Sequence, residues 1–261
     1  MMRITVLASG SSGNVTLVQA GDTSLLIDAG ITAKRIVGLL EASDMVPDNI
    51  AGILLTHEHG DHTRGLKVFA KNHNTPVFTN PLTADHLRRA SVEADWRLFA
   101  CGAAFQIGAI EVLPFSVPHD AADPVGFVLR HEGASFAILT DLGYATKQVV
   151  NSVQGVKALL IETNHDEAML QKDTKRPWAV KQRILSRHGH LSNAAAADVV
   201  SSIATPDLRH VLLGHISEDC NSTEMAADAV RQKLQAAGHS SVQILCAESP
   251  EDSPRVSIVI S

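Results

Sequence analysis

Short apolar runs recur along the chain, and four of them are followed two positions later by a histidine or an aspartate. The runs cover residues 53–55, 112–117, 136–139 and 211–213. Largely apolar runs of this length, rich in β-branched residues, are typical of buried strands. Because several strands can end at one edge of a sheet, the pattern predicts a shared polar site there. The residues that follow the runs are His57, His119, Asp141 and His215.

Helical and extended patterns alternate along the whole chain, with no linker, low-complexity segment or internal repeat. Apolar positions at helical spacing, with proline or glycine as start and stop signals, predict helices over residues 32–42, 61–73, 81–90, 178–187, 193–203 and 223–237. Runs of β-branched and apolar residues predict strands over residues 4–8, 15–20, 24–28, 76–79, 159–162, 242–246 and 255–260, a strand ending at His215, and a strand-rich stretch from 96 to 139. The order favours an α/β protein.

Residues 56–62 read Thr-His-Glu-His-Gly-Asp-His and are the most informative segment of the chain. Neutral imidazoles and carboxylates are the usual ligands of zinc-like divalent ions. On an extended segment His57 and His59 point to one side. The glycine that follows lets the chain turn, so Asp61 and His62 can face a second ion. A solvated histidine-rich loop is the alternative interpretation; the spacing favours a metal site.

A site for two ions needs more ligands than this segment holds. Taken singly, His119 and His215 are ordinary histidines of the surface or core, and Asp141 is an ordinary turn residue. Beside the first cluster, we expect all three at the metal site. The histidines outside these patterns are expected at the surface: His73, His86, His131, His188, His210 and His239.

The order of these ligand-type residues resembles that of the metallo-β-lactamase superfamily, in which His-x-His-x-Asp-His is followed by a distant His, an Asp and a final His. Shorter motifs resemble the WalJ/YycJ-like branch, which is described as metal-dependent 5′→3′ exonucleases acting on DNA. They are Ser-Gly-Ser-Ser-Gly-Asn at 9–14, Glu-Thr-Asn-His-Asp at 162–166, Gly-His-Leu-Ser-Asn at 189–193, and Gly-His-Ile-Ser at 214–217 with Cys220 and Asn221. The resemblance thus covers nearly the whole chain.

The resemblance implies a single domain over residues 1–261, built as an αββα sandwich with a binuclear metal site at one edge of its two sheets. His57, His59 and His119 would hold one ion, Asp61, His62 and His215 the other, and Asp141 would bridge them. The ions would be zinc, with manganese or iron as alternatives, and would share a hydroxide that attacks a phosphodiester. Asp61 could accept its proton, and His190 resembles a general acid.

Two flanking motifs are candidates for substrate binding. Ser11, Ser12 and Asn14 lie in a small polar loop that could approach a phosphate or simply form a hairpin turn. His190, Ser192 and Asn193 resemble a phosphate pocket, in which His190 and Ser192 would help to hold a terminal 5′-phosphate. Ser192 or Asn193 could instead cap the next helix, and both roles could hold at one helix start. Two roles are possible for Asn164, His165 and Asp166: support of a metal ligand or contact with substrate. The sequence favours neither.

Composition narrows the function classes. The 261 residues are 45% apolar and 19% charged, as in globular proteins. We expect a cytoplasmic protein, because no apolar stretch suits a signal peptide or membrane span and three unpatterned cysteines suggest no disulfide framework. A net charge of −6 argues mildly against nucleic acid, although two metal ions would offset it locally. Six basic residues just before His190 could guide phosphate or form a solvated helix face: Lys172, Lys175, Arg176, Lys181, Arg183 and Arg187.

Three functions remain possible at this stage. The first is an exonuclease that acts on the 5′-phosphorylated ends of DNA rather than RNA. The second is a small-molecule metallo-hydrolase that acts on cyclic phosphodiesters, thioesters or lactones. The third is a non-catalytic binding protein that is stabilised by metal; it is disfavoured because a structural zinc needs only four ligands.

Overall fold

The computed structural model describes residues 1–247 and 256–261. Arg255, the first residue of the predicted last strand, lies outside them. The strands are β1 (Met2–Ala8), β2 (Val15–Ala20), β3 (Thr23–Ile27), β4 (Gly52–Leu54), β5 (Val77–Thr79), β6 (Trp96–Leu98), β7 (Phe105–Ile107), β8 (Ile110–Ser116), β9 (Val125–His131), β10 (Ala134–Leu139), β11 (Ala158–Glu162), β12 (His210–Gly214), β13 (Gln243–Cys246) and β14 (Val256–Ile260).

These strands form two seven-stranded sheets with the same pattern of pairing. The first has the order β14-β1-β2-β3-β4-β5-β6 and the second β7-β8-β9-β10-β11-β12-β13. In each, the first three pairings are antiparallel and the last three are parallel. Thus β3 corresponds to β10. Each of these strands is closely followed by an aspartate with a positive φ, Asp28 at 61° and Asp141 at 55°.

Helices cover the outer face of both sheets. They are α1 (Ala33–Glu41), α2 (Gly60–Thr63), α3 (Leu66–Asn72), α4 (Pro81–Arg89), α5 (Lys147–Ser152), α6 (Glu167–Lys172), α7 (Trp178–Ile184), α8 (Asn193–Ile203) and α9 (Thr223–Ala236), with a 3-10 turn at Pro47–Asn49. None of the helices in the described part of the chain is long and apolar enough to cross a membrane.

Alternating side chains divide the core into three layers. Leu25 and Ile27 of β3 point into the cluster between the sheets, where Phe136 and Ile138 of β10 meet them. Leu26, between Leu25 and Ile27, belongs instead to the cluster under α1, α3 and α4. A matching cluster joins the second sheet to α5, α8 and α9. This alternation is the two-residue period of a strand with both faces buried, and it confirms the predicted αββα sandwich.

The helix predicted over residues 61–73 is in fact two helices, α2 and α3, so that prediction is wrong in detail. Gly65, at the break, packs against the backbone: a Cβ there would lie 2.2 Å from the Ile31 carbonyl oxygen. The helix predicted over 178–187 ends at Ile184, and the short helices α5 and α6 were not predicted because six residues show too little periodicity. The other predicted elements that fall within the described residues are found to within two residues.

Candidate metal centre

The predicted ligands gather at one edge of the sandwich, where strands of both sheets end. β4 leads to His57 and to the short helix α2, whereas β10 and β12 lead to Asp141 and His215. The loop between β8 and β9 carries His119. All seven predicted ligands lie at this edge. Ligand atoms of His57, His59 and His119 cluster together, and Asp141 belongs to two further clusters, one with His57 and His62 and one with Glu162, His190 and His215.

The first group consists of His57, His59 and His119, one ligand atom of each lying within 4.8 Å of the others. His119 Nδ1 is 3.1 Å from the Gly189 carbonyl oxygen. A carbonyl can only accept, so Nδ1 carries the proton and Nε2 is left with its lone pair. That Nε2 lies 3.4 Å from His59 Nδ1. Burial lowers the pKa of His119, which keeps its imidazole in the neutral form that binds metal.

The second group consists of Asp61, His62 and His215. Asp61 Oδ2 lies 3.6 Å from His62 Nε2 and 3.7 Å from His215 Nε2. Asp141 joins this group to the first, since its Oδ2 is 2.8 Å from His62 Nε2 and its Oδ1 is 3.9 Å from His119 Nε2. Burial alone would raise the pKa of Asp141, but His215 and His62 outweigh it and hold that pKa well below its ordinary value.

Asp28 supports the centre from behind, a role that the sequence analysis missed. Its Oδ1 accepts a hydrogen bond from the Thr56 amide at 2.9 Å, and its Oδ2 lies 2.8 Å from His62 Nδ1. A carboxylate on one ring nitrogen orients an imidazole and leaves the other for a ligand. Burial lowers the pKa of His62, but Asp28 and Asp141 outweigh it and raise that pKa well above its usual value. The signal was present: Asp28, like Asp141, follows an apolar run.

Glu162 is the second supporting carboxylate that the sequence analysis left without a role. It is fully buried. Its Oε1 accepts hydrogen bonds from the amides of Leu142 at 2.9 Å and Leu191 at 2.8 Å. Its Oε2 lies 3.2 Å from His215 Nδ1 and 3.1 Å from His190 Nδ1. Burial would raise the pKa of Glu162, but His190 and these hydrogen bonds lower it to about 2. The anion therefore orients both imidazoles.

His190 lies within reach of the bridging carboxylate, as its Nδ1 is 3.3 Å from Asp141 Oδ1. Although burial opposes the charged form, Glu162 and Asp141 raise the pKa of His190 to about 9. These two carboxylates thus favour the protonated form of the imidazole. A proton on a side chain beside the metal centre is what a general acid requires.

The residues predicted to bind substrate are divided by the structure. Ser11 and Ser12 are exposed and line an open groove of about 290 Å³. Asn14 is buried, with its amide bonded to Gly10 and 3.1 Å from His62 Nε2. Ser192 accepts from the Ala195 amide at the start of α8 and donates to Glu167. Ser192 thus caps α8, which is one of the two roles that the sequence predicted for it.

The side chains of Asn193, Asn164 and Asp166 also form hydrogen bonds within the protein. Asn193 and Asn221 exchange two amide hydrogen bonds, of 2.7 and 2.8 Å. Asn164 Nδ2 donates to the His215 carbonyl at 3.1 Å, so it supports the loop that carries a ligand. Asp166 caps α6 by accepting from the Met169 amide. His165 lies beside them in a small cavity.

The basic run before His190 is largely neutralised within the protein. Lys175 and Arg176 pair with Asp219, and Arg176 also pairs with Asp173. Lys181 is buried and donates to backbone carbonyls, while Arg183 pairs with Asp120. These contacts weaken the prediction that the run guides phosphate.

The residues present fit a divalent metal. His57 Nε2 is buried and finds no hydrogen-bond partner among the described residues. Its Nδ1 lies 3.0 Å from Thr56 Oγ1, and burial followed by the neighbouring His62 holds the pKa of His57 well below its usual value. A histidine that binds metal needs a neutral imidazole with one ring nitrogen free to face the other ligand atoms.

Changing Glu162 to glutamine is expected to weaken metal binding about 10- to 100-fold, the range for loss of a supporting carboxylate. The amide cannot accept from both imidazoles through Oε2. Metal affinity is measured by competition with a chelator of known strength. Glu111→Gln is the matched control, since Glu111 is exposed and pairs with Arg130 on the neighbouring strand β9. Equal affinity in the Glu162 variant and the control would contradict the supporting role.

Comparison with known proteins assigns the family. The protein-family model described as "Beta-lactamase superfamily domain" matches residues 23–216 of this chain. Exodeoxyribonuclease YycJ of Bacillus anthracis is 35% identical over 91% of this chain and 90% of its own. Exodeoxyribonuclease WalJ of Streptococcus pneumoniae is 33% identical over 90% of this chain and 89% of its own. Zinc-bound PqqB from Methylobacterium extorquens is similar in fold, with a TM-score of 0.73 at 18% identity over 99% of this chain and 100% of its own. The chain belongs to the metallo-β-lactamase superfamily, which confirms the resemblance.

Proposed function

We propose that this protein is a metal-dependent 5′→3′ exodeoxyribonuclease that acts on 5′-phosphorylated ends of DNA in the cytoplasm. The observation that carries the proposal is the gathering of histidine and carboxylate ligand atoms in clusters that Asp141 joins, together with His57 Nε2, which has no hydrogen-bond partner among the described residues. The choice of DNA rests on the two exodeoxyribonucleases that match about nine tenths of the chain. It no longer rests on the basic run, because most of that run is paired.

In this proposal each residue has a role set by its contacts. His57, His59 and His119 would hold one divalent ion, Asp61, His62 and His215 a second, and Asp141 both. Such ions supply positive charge against the phosphoryl oxygens and make water more acidic. Asp61 Oδ2 orients the attacking water and accepts its proton. His190 donates a proton to the departing 3′-oxygen, so the phosphorus–oxygen bond breaks to give a mononucleotide and a shortened strand with a new 5′-phosphate.

Metal analysis tests the proposed number of ions per chain. We expect close to two equivalents of divalent ion per chain, with zinc bound and manganese or iron as alternatives that the same donors accept. Asp141→Ala should lose at least one equivalent, because its carboxylate lies between the two groups. His131→Ala is the control, since that half-buried histidine ends β9 and donates from Nδ1 to the Ala109 carbonyl oxygen outside the centre. One equivalent or less in metal-replete wild-type protein would contradict the binuclear proposal.

End-labelled duplexes test the reaction. We expect the 5′ label to appear first as a mononucleotide, faster from a 5′-phosphate than from a 5′-hydroxyl end, and slower from RNA of the same sequence. Cyclic dinucleotides, a thioester and a lactone are assayed in parallel at the same metal concentration. Release of the 3′ label first would contradict the polarity. Turnover of only the small substrates would favour the small-molecule metallo-hydrolase instead.

A further inference from the structure

A small cavity adjoins the candidate metal centre and shares His190 with it. Its volume is about 90 Å³. Of the described residues that line it, none is an aspartate or a glutamate. The centre beside it contains the carboxylates of Asp61 and Asp141, and the chain has a net charge of −6. A lining without carboxylates favours an anion as the ligand. The polar residues of its lining are Ser11, Asn164, His165, Arg176, His190 and Ser217.

His165 is the residue of this cavity that the metal centre does not explain. It is 2% exposed, and neither ring nitrogen has a hydrogen-bond partner within residues 1–247 and 256–261. Buried polar groups are nearly always hydrogen-bonded, because an unpaired donor or acceptor that has lost its water costs free energy. An unpaired imidazole in the wall of a polar cavity therefore indicates a partner that enters the cavity.

The backbone around His165 is tied to the loops that carry the catalytic histidines. The His165 carbonyl accepts from the Asn193 amide at 2.9 Å, and the Asn164 amide donates to the Leu191 carbonyl at 3.0 Å. The Ser217 amide donates to the Asn164 carbonyl at 2.9 Å. Because these bonds join residues 164 and 165 to the segments on either side, the backbone that carries the His165 imidazole is held at a set position relative to His190 and His215. Such preorganisation suits recognition of one group at a defined distance from the reaction.

The dimensions of the cavity restrict what it can hold. Pockets for drug-sized ligands begin at roughly 300 Å³, so a cavity of about 90 Å³ suits a small tetrahedral anion rather than a nucleobase. Arg176 contributes charge, but Asp173 and Asp219 pair with it at 2.9 and 3.1 Å. Hydrogen bonding by His165 would then carry much of the selectivity.

We propose that this cavity binds the terminal 5′-phosphate of the substrate and that His165 determines the preference for phosphorylated ends by hydrogen bonding to the phosphate oxygens. This inference rests on the proposed exonuclease function. It differs from the sequence-based prediction, in which His190 and Ser192 help to hold the terminal phosphate, by making His165 the residue that determines the preference; the Ser192 side chain is bonded within the protein. Since each cleavage leaves a new 5′-phosphate, one cavity would serve every cycle.

The ratio of the initial rates on 5′-phosphorylated and 5′-hydroxyl duplexes tests this role. His165→Leu removes both nitrogens and should lower the ratio tenfold or more. His165→Gln keeps an N–H donor and should restore part of it. In phosphate-free buffer the leucine variant should be at least as stable to denaturant as wild type, because the two nitrogens have no hydrogen-bond partner in the described part of the chain. The matched control is His210→Leu, because His210 begins β12 whereas His215 follows its end. This variant should leave the ratio unchanged.

Binding of inorganic phosphate gives a readout that does not depend on cleavage. The sample is zinc-loaded wild-type protein labelled with nitrogen-15. The His165 imidazole resonance is assigned by its absence from the leucine variant. It should shift saturably as phosphate is added. An unshifted resonance, or an unchanged rate ratio in the leucine variant, overturns the proposal. If wild-type protein cleaves no DNA, the exonuclease function fails, and the phosphate titration still decides whether the cavity binds this anion.

Discussion

Replacing Asp61 with asparagine is expected to lower turnover on DNA by about 10²- to 10⁴-fold, the usual contribution of a positioned acid or base. The Asp61 side chain is 24% exposed, whereas that of Asp141 is 3% exposed. Asp61 is thus the carboxylate of the two that substrate and water can reach. Asparagine has a similar shape but accepts no proton at neutral pH. Turnover number, metal content and circular dichroism are measured together.

Asp85→Asn is the matched control for this prediction. Asp85 lies on α4, is exposed, and pairs with Arg88 three residues later. Its removal should leave turnover within about twofold of wild type, since exposed ion pairs contribute little. If Asp61→Asn retains both its metal and near wild-type turnover, Asp61 does not have the assigned role.

Replacing Gly30 with alanine is expected to lower the free energy of unfolding by about 3 kcal/mol or more and to reduce metal binding. A Cβ at Gly30 would lie 1.7 Å from the Asp61 carbonyl oxygen and 2.6 Å from the Asn14 amide nitrogen. Overpacking typically costs about 1–3 kcal/mol, and here the opposing atoms belong to backbone that cannot rotate away. The loop that carries two ligands must therefore move. Denaturant unfolding and metal analysis measure both effects.

Gly38→Ala is a matched control on the same stretch of chain. Gly38 lies within α1, and a Cβ there meets nothing within 4 Å. Alanine should stabilise the protein by about 0.5–1 kcal/mol, because glycine is the poorer helix former. If the two alanine variants were equally stable, close packing at Gly30 would not be what positions Asp61.

Some of the centre was predictable because it depends on local rules. Apolar runs predicted the strands, and the position two residues beyond a run predicted His119, Asp141 and His215 as neighbours. A related rule, a carboxylate directly after an apolar run, points to Asp28 after residues 25–27 and to Glu162 after residues 158–161. Their roles were still missed, since a carboxylate that orients a histidine has the same local pattern as one that ends a strand.

Other features depend on contacts between distant segments. Periodicity alone could not show that Gly65 divides a predicted helix, because the break is due to the backbone of residue 31. Charge counts could not show that Arg176 and Arg183 are paired, since Asp219 and Asp120 lie 43 and 63 positions away. The same holds for Ser192 and Asn193, whose partners are residues 167 and 221.

By itself, the sequence determined the αββα class, the superfamily and the kinds of donor at the metal centre. The kinds of donor follow from residue type and spacing, which act over a few positions, whereas the superfamily and its αββα class follow from the resemblance that the motifs carry. Only the tertiary structure decided which imidazole nitrogen is free, which carboxylates orient the ligands, and that the His165 ring, beside a small cavity, has no hydrogen-bond partner among the described residues. Those properties depend on distances of about 3 Å between segments far apart in the chain, where packing of the two sheets sets the outcome.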